Sequence, residues 1–357
     1  MKLILQIYSS NSRGNATVNS MKRKIVSSPI SRLCLGMLLS LALFSCTQQN
    51  SNRNTAKGDK PRVVATSTII ADLAQKVGGD EIQLTGILKP GTDPHVYEPV
   101  PADSRFLEEA DLILYNGYNL EPGLIKLMKA SGGKAQQLAV GEVVKPLQLD
   151  DSRLKPGNPP TALSHKGKGE VVPDPHVWGS AENAIAMVNV IRDGLIKLSP
   201  EDREEFTQKA SQLTNELTQL HSWVNQQIQT IPADKRKLIT THDAFQYYGR
   251  AYGIAIAGTL IGISTEEQPS AQTVQRLVES IKKIGVPAIF AETTINPALI
   301  KTVAQEAGVN LAPQQLYSDS IGAKGSSGDS YIKMIEANTR SIVEALGGKY
   351  TPFQLKK

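Results

Sequence analysis

One long amphipathic segment constrains the fold of this chain more than any other feature. From Glu201 to Ile231, apolar side chains recur every three or four residues against a polar background, which predicts one continuous helix. Ser199-Pro200-Glu201 is a good helix start and Pro232 a good stop. At about 1.5 Å per residue the helix spans roughly 45 Å, the width of a folded lobe, so we expect it to connect two folded halves. The apolar stripe consists of Phe206, Ala210, Leu213, Leu217, Leu220, Val224 and Ile228.

Both flanking regions alternate short apolar runs with segments of helical period. This pattern is typical of α/β units with mostly parallel sheets. The runs that predict strands are residues 63–66, 82–88, 111–115, 237–241 and 287–291. We expect an N-terminal lobe at residues 61–199, the connecting helix at 200–231 and a C-terminal lobe at 232–357. Residues 151–173 are rich in Lys, Gly and Pro without an apolar period, which predicts a mobile loop.

The basic surplus of the chain lies in its first 45 residues. This segment holds six Lys or Arg and no Asp or Glu, and the remainder has 33 basic and 34 acidic residues. Met21-Lys22-Arg23-Lys24 and the apolar run at 33–44 are typical of a signal peptide, because the run is shorter than the ~20 residues of a membrane span. We therefore expect residues 1–45 to be a signal peptide, with Met21 as an alternative start. The net charge of +5 then indicates no nucleic-acid partner.

The end of this leader predicts a lipid anchor. Leu43-Phe44-Ser45-Cys46 resembles a bacterial lipobox, in which Cys46 becomes the lipidated N-terminus. Residues 46–60 are polar and read as a flexible tether. We expect an extracytoplasmic protein, anchored by its lipid to the periplasmic face of the cell membrane; an uncleaved anchor helix is the alternative. Cys34, the other cysteine, lies in the leader, so the mature domain is predicted to lack a disulfide.

The histidines are the residues with the clearest chemical pattern. No dinucleotide-binding, Walker, H-E-x-x-H or G-x-S-x-G motif occurs, which argues against a nucleotide enzyme or serine hydrolase. Asp-Pro-His occurs twice, ending at His95 and His176. Proline fixes its own φ and biases the preceding Asp toward an extended conformation, so each His follows a stiff backbone. Such stiffness suits a metal ligand, whose bond lengths tolerate only about 0.2 Å of error.

A third histidine and a carboxylate complete a candidate metal site. His242 follows the predicted strand at 237–241, and ligands of open α/β sheets bind at the carboxyl ends of strands. Three imidazoles with one carboxylate suit a divalent transition metal. Asp319, between an apolar stretch and a Ser/Gly loop, is the preferred carboxylate, and Glu292 is the alternative. From spacing alone each His could equally be an ordinary loop residue.

Four motifs in order resemble a known family. They are Thr92-Asp93-Pro94-His95, Asp174-Pro175-His176-Val177-Trp178, the segment 241–248 and Leu316-Tyr317-Ser318-Asp319-Ser320. Together they resemble the metal-binding receptor (solute-binding) lipoproteins of bacterial ABC importers, cluster A-I, of the ZnuA/MntC/TroA type. The resemblance covers nearly the whole mature chain and implies an α/β fold. It implies two Rossmann-like lobes, each a mostly parallel sheet flanked by helices, joined by one long rigid helix. The metal ligands it implies are His95 and His176 from the first lobe and His242 and Asp319 from the second.

The resemblance favours manganese without fixing the metal. Many manganese receptors carry Glu where this chain has His242. Zinc-dedicated members often have a loop rich in His and acidic residues, whereas the loop at 154–170 has one His and several Lys. Zinc receptors commonly lack the Asp arm, which this chain keeps at Asp319. On the loop and the Asp arm we expect manganese first, zinc next and iron as a third candidate. Intrinsic affinity rises from manganese toward zinc, so selection must depend on geometry and availability.

The expected function is an extracytoplasmic receptor that binds Mn²⁺ or Zn²⁺ and delivers it to an ABC permease. The protein is expected to be a monomer that catalyses no reaction and meets the membrane only through its N-terminal lipid. A metallohydrolase with the same cluster is one alternative, with Glu292 or Asp243 as general base. A surface adhesin lipoprotein with a structural metal is another, and chelation would then unfold the protein.

Overall fold

The computed structural model describes residues 60–131, 133–150 and 171–356. The predicted signal peptide, Cys46, all but the last residue of the tether, and residues 151–170 of the predicted loop lie outside this range. Within these ranges no helix is both long enough and apolar enough to cross a membrane.

A parallel sheet organises the residues before the long helix, which we call the first lobe. Its elements are β1 (Arg62–Ala65), α1 (Thr68–Gly78), β2 (Gln83–Gly86), α2 (Pro101–Glu109), β3 (Leu112–Tyr115), α3 (Pro122–Ser131), β4 (Gln136–Ala139) and α4 (Ala181–Leu198). The four strands are parallel and lie in the order β2-β1-β3-β4. The α/β prediction for this half is confirmed. Strands β1 and β3 lie at the centre of the sheet, and Thr68, which follows the carboxyl end of β1, contacts Ser320 beyond the long helix.

A short hairpin corrects the predicted loop. Residues 148–150 form β5 (Gln148–Asp150), and residues 171–173 form β6 (Val171–Pro173), paired antiparallel with Leu149 opposite Val172. The prediction of a loop through Pro173 is therefore wrong for its last three residues. Three residues are too few to show a period, and their pairing partner lies about twenty positions earlier in the chain. This hairpin leads directly into Asp174-Pro175-His176.

The second lobe, which follows the long helix, repeats the α/β architecture. Its elements are β7 (Lys237–Thr240), α6 (Gln246–Tyr252), β8 (Ala255–Thr259), α7 (Ala271–Ile284), β9 (Ala288–Ile289), α8 (Ala298–Ala307), β10 (Asn310–Leu311) and α9 (Tyr331–Ala345). Strands β7 and β8 are parallel, as are β9 and β10. The Phe290 N–H donates to the Ile239 carbonyl at 2.9 Å and joins the two pairs. A parallel bridge between Glu292 and Leu316 continues the pattern toward Asp319.

The long helix is confirmed as α5 (Arg203–Gln229), with 27 residues, and a short 3₁₀ turn at Pro200–Asp202 precedes it. Every residue of the predicted apolar stripe is buried. Trp223 and Gln227 are also buried, because the C-terminal segment crosses the helix and Thr351 hydrogen-bonds to both side chains. One continuous apolar core runs from β1 and α1 through the α5 stripe to α9. The helix therefore joins the lobes through a shared core, which resists bending.

Candidate metal centre

The two Asp-Pro-His segments share a local turn that aims the histidine. The carboxylate of Asp93 accepts a hydrogen bond from the His95 backbone N–H at 2.9 Å. Asp174 accepts the equivalent bond from the His176 N–H at 3.0 Å. Each segment is thus an Asx-type turn, in which the side chain replaces a backbone acceptor. The Asp-Pro-His repeat of the sequence is therefore also a repeat of this turn. In each turn the proline fixes its own φ, and the aspartate holds the histidine backbone by a hydrogen bond.

His242 and Asp319 come from two segments of the second lobe that lie on either side of the segment carrying Glu292. His242 follows the carboxyl end of β7, as predicted. Asp319 follows Leu316, the residue bridged to Glu292. The backbone of Tyr317 makes two hydrogen bonds with the Asn338 side chain of α9, at 2.8 and 2.7 Å, which fixes the arm that carries Asp319.

The structure brings all four predicted residues together in a buried cluster. One nitrogen or oxygen from each of His95, His176, His242 and Asp319 lies within 4.8 Å of the corresponding atom of every other. The Nε2 atoms of His95 and His176 are 3.2 Å apart. The Asp319 carboxylate presents Oδ1 at 3.3 Å from His176 Nε2 and Oδ2 at 3.1 Å from His242 Nε2. Both lobes therefore contribute two side chains to one point.

Three polar atoms of this cluster have no hydrogen-bond partner in the described part of the chain. His242 Nε2 and both Asp319 oxygens are buried, and none of them makes a hydrogen bond of acceptable geometry there. Burying such atoms without a partner costs free energy. Where a folded protein brings several of them close together, a ligand is indicated. Donors 2.0–2.2 Å from a tetrahedral ion stand about 3.3–3.6 Å apart. The measured separations of 3.1–3.3 Å lie at or just below the short end of that range.

Two further carboxylates orient the rings. Asp174 Oδ1 lies 2.8 Å from His176 Nδ1, and Glu292 contacts His242 Nδ1 while also accepting the His242 backbone N–H at 2.8 Å. A carboxylate on Nδ1 leaves Nε2 as the free coordinating atom and raises its basicity. Glu292, the alternative ligand in the sequence, instead lies behind His242 and outside the cluster. The position of Glu292 at the end of a strand could be expected from the sequence. Its contact with His242 Nδ1 could not.

Electrostatics divides the three histidines into two kinds. Burial lowers the pKa of His95 to about 3, against the attraction of Asp319, so its ring is neutral. For His176, burial also favours the neutral ring, but the hydrogen bond to Asp174 and the negative charges of Asp174 and Asp319 outweigh it and raise the pKa to about 9. His242 behaves likewise, because Glu292 and Asp319 raise its pKa well above the usual value against its burial. Without an ion, protons on these two rings balance the carboxylate, whose own pKa is held well below its usual range.

The remaining residues singled out in the sequence lie around the site or away from it. The Trp178 ring stands edge-on to His176 with centroids 5.4 Å apart, and its indole N–H donates to the Ser318 carbonyl across the lobes. The Tyr97 hydroxyl donates to Asp103, and the Tyr97 ring packs within the first lobe. Asp243 is buried and held by Gln246 at 2.6 Å. His221 lies on α5, partly exposed and hydrogen-bonded to Asn225.

Comparison with known proteins links this chain to metal transport. Residues 63–345 match the sequence profile of the family described as zinc-uptake complex component A, periplasmic (ZnuA). A relative in Streptococcus pneumoniae, the manganese ABC transporter substrate-binding lipoprotein PsaA, is 33% identical over 316 residues. That match covers 87% of this chain and 96% of the relative.

Solved structures show the same architecture. The periplasmic zinc-binding protein TroA from Treponema pallidum superimposes with a TM-score of 0.72 at 33% identity, covering 81% of this chain and 99% of TroA. The Fe(III)-bound YtgA from Chlamydia trachomatis superimposes with a TM-score of 0.68 at 26% identity, covering 81% of this chain and 99% of YtgA. The fold of two parallel-sheet lobes joined by a long helix is therefore one that this chain shares with metal-binding proteins.

Replacement of the carboxylate behind His242 tests its orienting role. We expect Glu292→Gln to weaken metal binding about 10- to 100-fold, because an amide carries no charge and offers one acceptor oxygen to two N–H groups. Affinity is measured by competition with a chelator of known affinity. Glu306→Gln, an exposed change on α8, is the matched control. An affinity within twofold of the unmodified protein would show that Glu292 does not support the site.

The protonated rings predict that affinity depends on pH. An ion must displace the proton that His176 carries below about pH 9, and also the proton of His242, whose pKa is raised, so affinity weakens as pH falls. Between pH 8 and 6 we expect a loss of up to about tenfold per pH unit for each displaced proton. Calorimetry in two buffers of different ionisation enthalpy counts the released protons. Binding that releases no protons and is independent of pH would contradict the assigned charges.

Proposed function

This chain belongs to the zinc-uptake complex component A family, and we propose that it captures a divalent transition metal between its lobes and delivers it to an ABC permease. The observation that carries this proposal is the convergence of three buried imidazoles and one buried carboxylate, whose two oxygens have no hydrogen-bond partner in the described part of the chain. The proposed ligands are His95, His176, His242 and Asp319. The names of the relatives support the same role, since PsaA is named as the substrate-binding lipoprotein of an ABC transporter.

The site favours a carrier over a catalyst. A catalytic metal site keeps a position for water and a free base nearby, whereas four protein groups surround this point. The two candidate bases are already engaged, because Glu292 holds His242 and Asp243 holds Gln246. Relatives are named as substrate-binding proteins, which supports a role without catalysis. A metallohydrolase would need one of these carboxylates released toward the ion.

We propose manganese as the first substrate, with zinc next and iron also accepted. Both oxygens of Asp319 face imidazole nitrogens, so this carboxylate suits bidentate coordination and five donor atoms in all. More than four donors suits Mn²⁺ better than tetrahedral Zn²⁺. Relatives named for manganese and zinc, and a neighbour bound to Fe(III), support a site whose metal depends on fine geometry and supply.

The proposed location is the outer face of the cytoplasmic membrane. Lipid on Cys46 and the polar tether would hold a monomeric receptor within reach of its permease. The name of PsaA as a lipoprotein supports this arrangement.

Removal of single ligands tests the assignment. We expect His95→Ala and Asp319→Ala each to weaken Mn²⁺ and Zn²⁺ binding at least 100-fold while the folded structure persists, because the other ligands and the shared core remain. Isothermal titration measures affinity, and circular dichroism checks the fold. His221→Ala, which removes a histidine outside the cluster, is the control.

Metal analysis of protein purified without affinity resin, followed by manganese–zinc competition, identifies the substrate. Chelation should empty the protein and leave it folded; unfolding on chelation would favour a structural metal. Unchanged titrations in both ligand variants would refute the site.

Replacement of the lipobox cysteine tests the anchor. In cells of a lipoprotein-processing bacterium, we expect the unmodified protein in the membrane fraction and Cys46→Ser in the soluble extracytoplasmic fraction, because one thioether-linked diacylglycerol is lost. Fractionation with immunodetection measures this, and Cys34→Ser is the control. If Cys46→Ser stayed in the membrane fraction as fully as Cys34→Ser, the result would favour an uncleaved anchor helix.

A further inference from the structure

A cavity leads to the metal centre from one side. Its volume is about 840 Å³, and it lies between the β3–α3 region of the first lobe and residues 260–269 of the second. Among the described residues that line it, His95 is the one proposed metal ligand. The exposed fractions agree, at 5% for His95 against 0% for His176 and His242 and 1% for Asp319. An ion arriving from solvent therefore meets His95 first.

Hydrogen bonds between the lobes also join the segment that carries Asp319 to the first lobe. The Trp178 indole N–H donates to the Ser318 carbonyl at 2.9 Å. The Ser320 hydroxyl lies 3.0 Å from the Thr68 hydroxyl and accepts the Gly91 N–H at 2.9 Å. These bonds flank Asp319 on both sides in the sequence. Opening there would break several buried bonds at once.

A side-chain hydrogen bond joins the loop that borders the cavity to the first lobe. The Thr265 hydroxyl donates to Asp93 Oδ2 at 2.6 Å and joins the 260–269 loop to the first lobe. The other oxygen of the same carboxylate accepts the His95 backbone N–H. Asp93 thus connects the loop to the most exposed ligand. When Thr265 separates, the loop and the His95 turn are released from each other.

The charges around the cavity suit a cation. Glu142, Glu266 and Glu267 line it and are exposed, and Lys129 is the basic residue among the described lining residues. A cleft bordered by an excess of one charge concentrates ions of the other and raises their association rate.

We propose that the metal ion enters and leaves through this cavity, with His95 as its first contact on arrival and last on release. In this mechanism the Asp93–Thr265 hydrogen bond sets how often the path opens. The inference rests on the proposed function and assigns Asp93 and Thr265 as positioning residues. They act through the loop and the His95 turn, so they govern rates more than affinity.

Loss of the hydrogen bond tests the opening step. We expect Thr265→Val, which keeps the shape of the side chain, to accelerate both association and release of Mn²⁺ and Zn²⁺ about five- to tenfold, with the equilibrium affinity changed less than twofold. Stopped-flow fluorescence of Trp178, which contacts His176, follows association, and excess EDTA drives release. The control is Thr302→Val, an exposed threonine that bonds only within α8. Unchanged rates, or an altered affinity at constant association rate, would overturn the role of Thr265.

Obstruction of the cavity tests the path itself. The domain at 61–357 has no native cysteine, so Ile125→Cys on the cavity wall can be labelled selectively in a Cys34→Ser/Cys46→Ser background. We expect a bulky maleimide to slow association and release together at least tenfold, with the unlabelled variant as its own control. Lys129→Cys, at an exposed lining position, serves if the first variant folds poorly. Full-speed exchange after labelling either position would exclude this path.

Replacement of two glutamates that line the cavity tests whether their negative charge attracts the metal ion. We expect Glu266→Gln/Glu267→Gln to slow association about two- to fivefold at low ionic strength without changing release. Glu279→Gln/Glu306→Gln, two exposed carboxylates outside the cavity, is the matched control. An unmodified protein that binds neither Mn²⁺ nor Zn²⁺ would refute the proposed function, whereas binding with rates insensitive to all these changes would refute only the path.

Discussion

The buried carboxylate of Asp319, facing the Nε2 atoms of His176 and His242, is the interaction on which the rest of the centre depends. A carboxylate removed from water is costly unless positive charge or hydrogen bonds compensate it. In the metal-free protein the compensation is protonic, because the two imidazoles gain protons beside it. A divalent ion supplies the same compensation more strongly and releases those protons. Opposite charges therefore stabilise the site both with and without an ion. This agrees with a protein that must stay folded in both states.

Each lobe contributes half of this arrangement, so the lobes must keep a fixed relation. The continuous core through α5 provides that relation without a disulfide. Hydrogen bonds from the first lobe to the segment around Asp319 reinforce it at the site. We propose that the 260–269 loop moves on the side of the cavity, where the Asp93–Thr265 bond joins it to the first lobe. By that proposal an ion enters through a local change, without wide separation of the lobes.

Selectivity in such a site is a matter of geometry more than of donor type. Imidazole and carboxylate donors accept manganese, iron and zinc, and intrinsic affinity rises toward zinc. The positions of Asp174 and Glu292 behind the rings limit how far the nitrogen donors can move. In the proposed site, the two oxygens of Asp319 would decide whether the metal has four or five protein donor atoms. The same donor set is thus compatible with relatives named for different metals.

Much of the architecture could be predicted from local pattern. The period of the α5 stripe, the α/β alternation and the repeated Asp-Pro-His each depend on neighbouring residues, and each matches the structure. The hairpin strand β6 and the extra buried face of α5 could not be predicted, because their partners lie far away in the chain. For the site, the residue types and their strand-end positions indicated His95, His176, His242 and Asp319 as candidates, and the structure brings them together.

The sequence by itself determined which residues are available for metal chemistry and roughly where each enters the fold. Tertiary structure alone decided which atom of each residue faces the centre. Glu292 is 50 positions from His242 and orients it, although its chemistry equally suits a ligand. Thr265 is 172 positions from Asp93 and joins the cavity loop to the His95 turn. Side-chain direction depends on contacts between distant segments, which no local pattern of residues encodes.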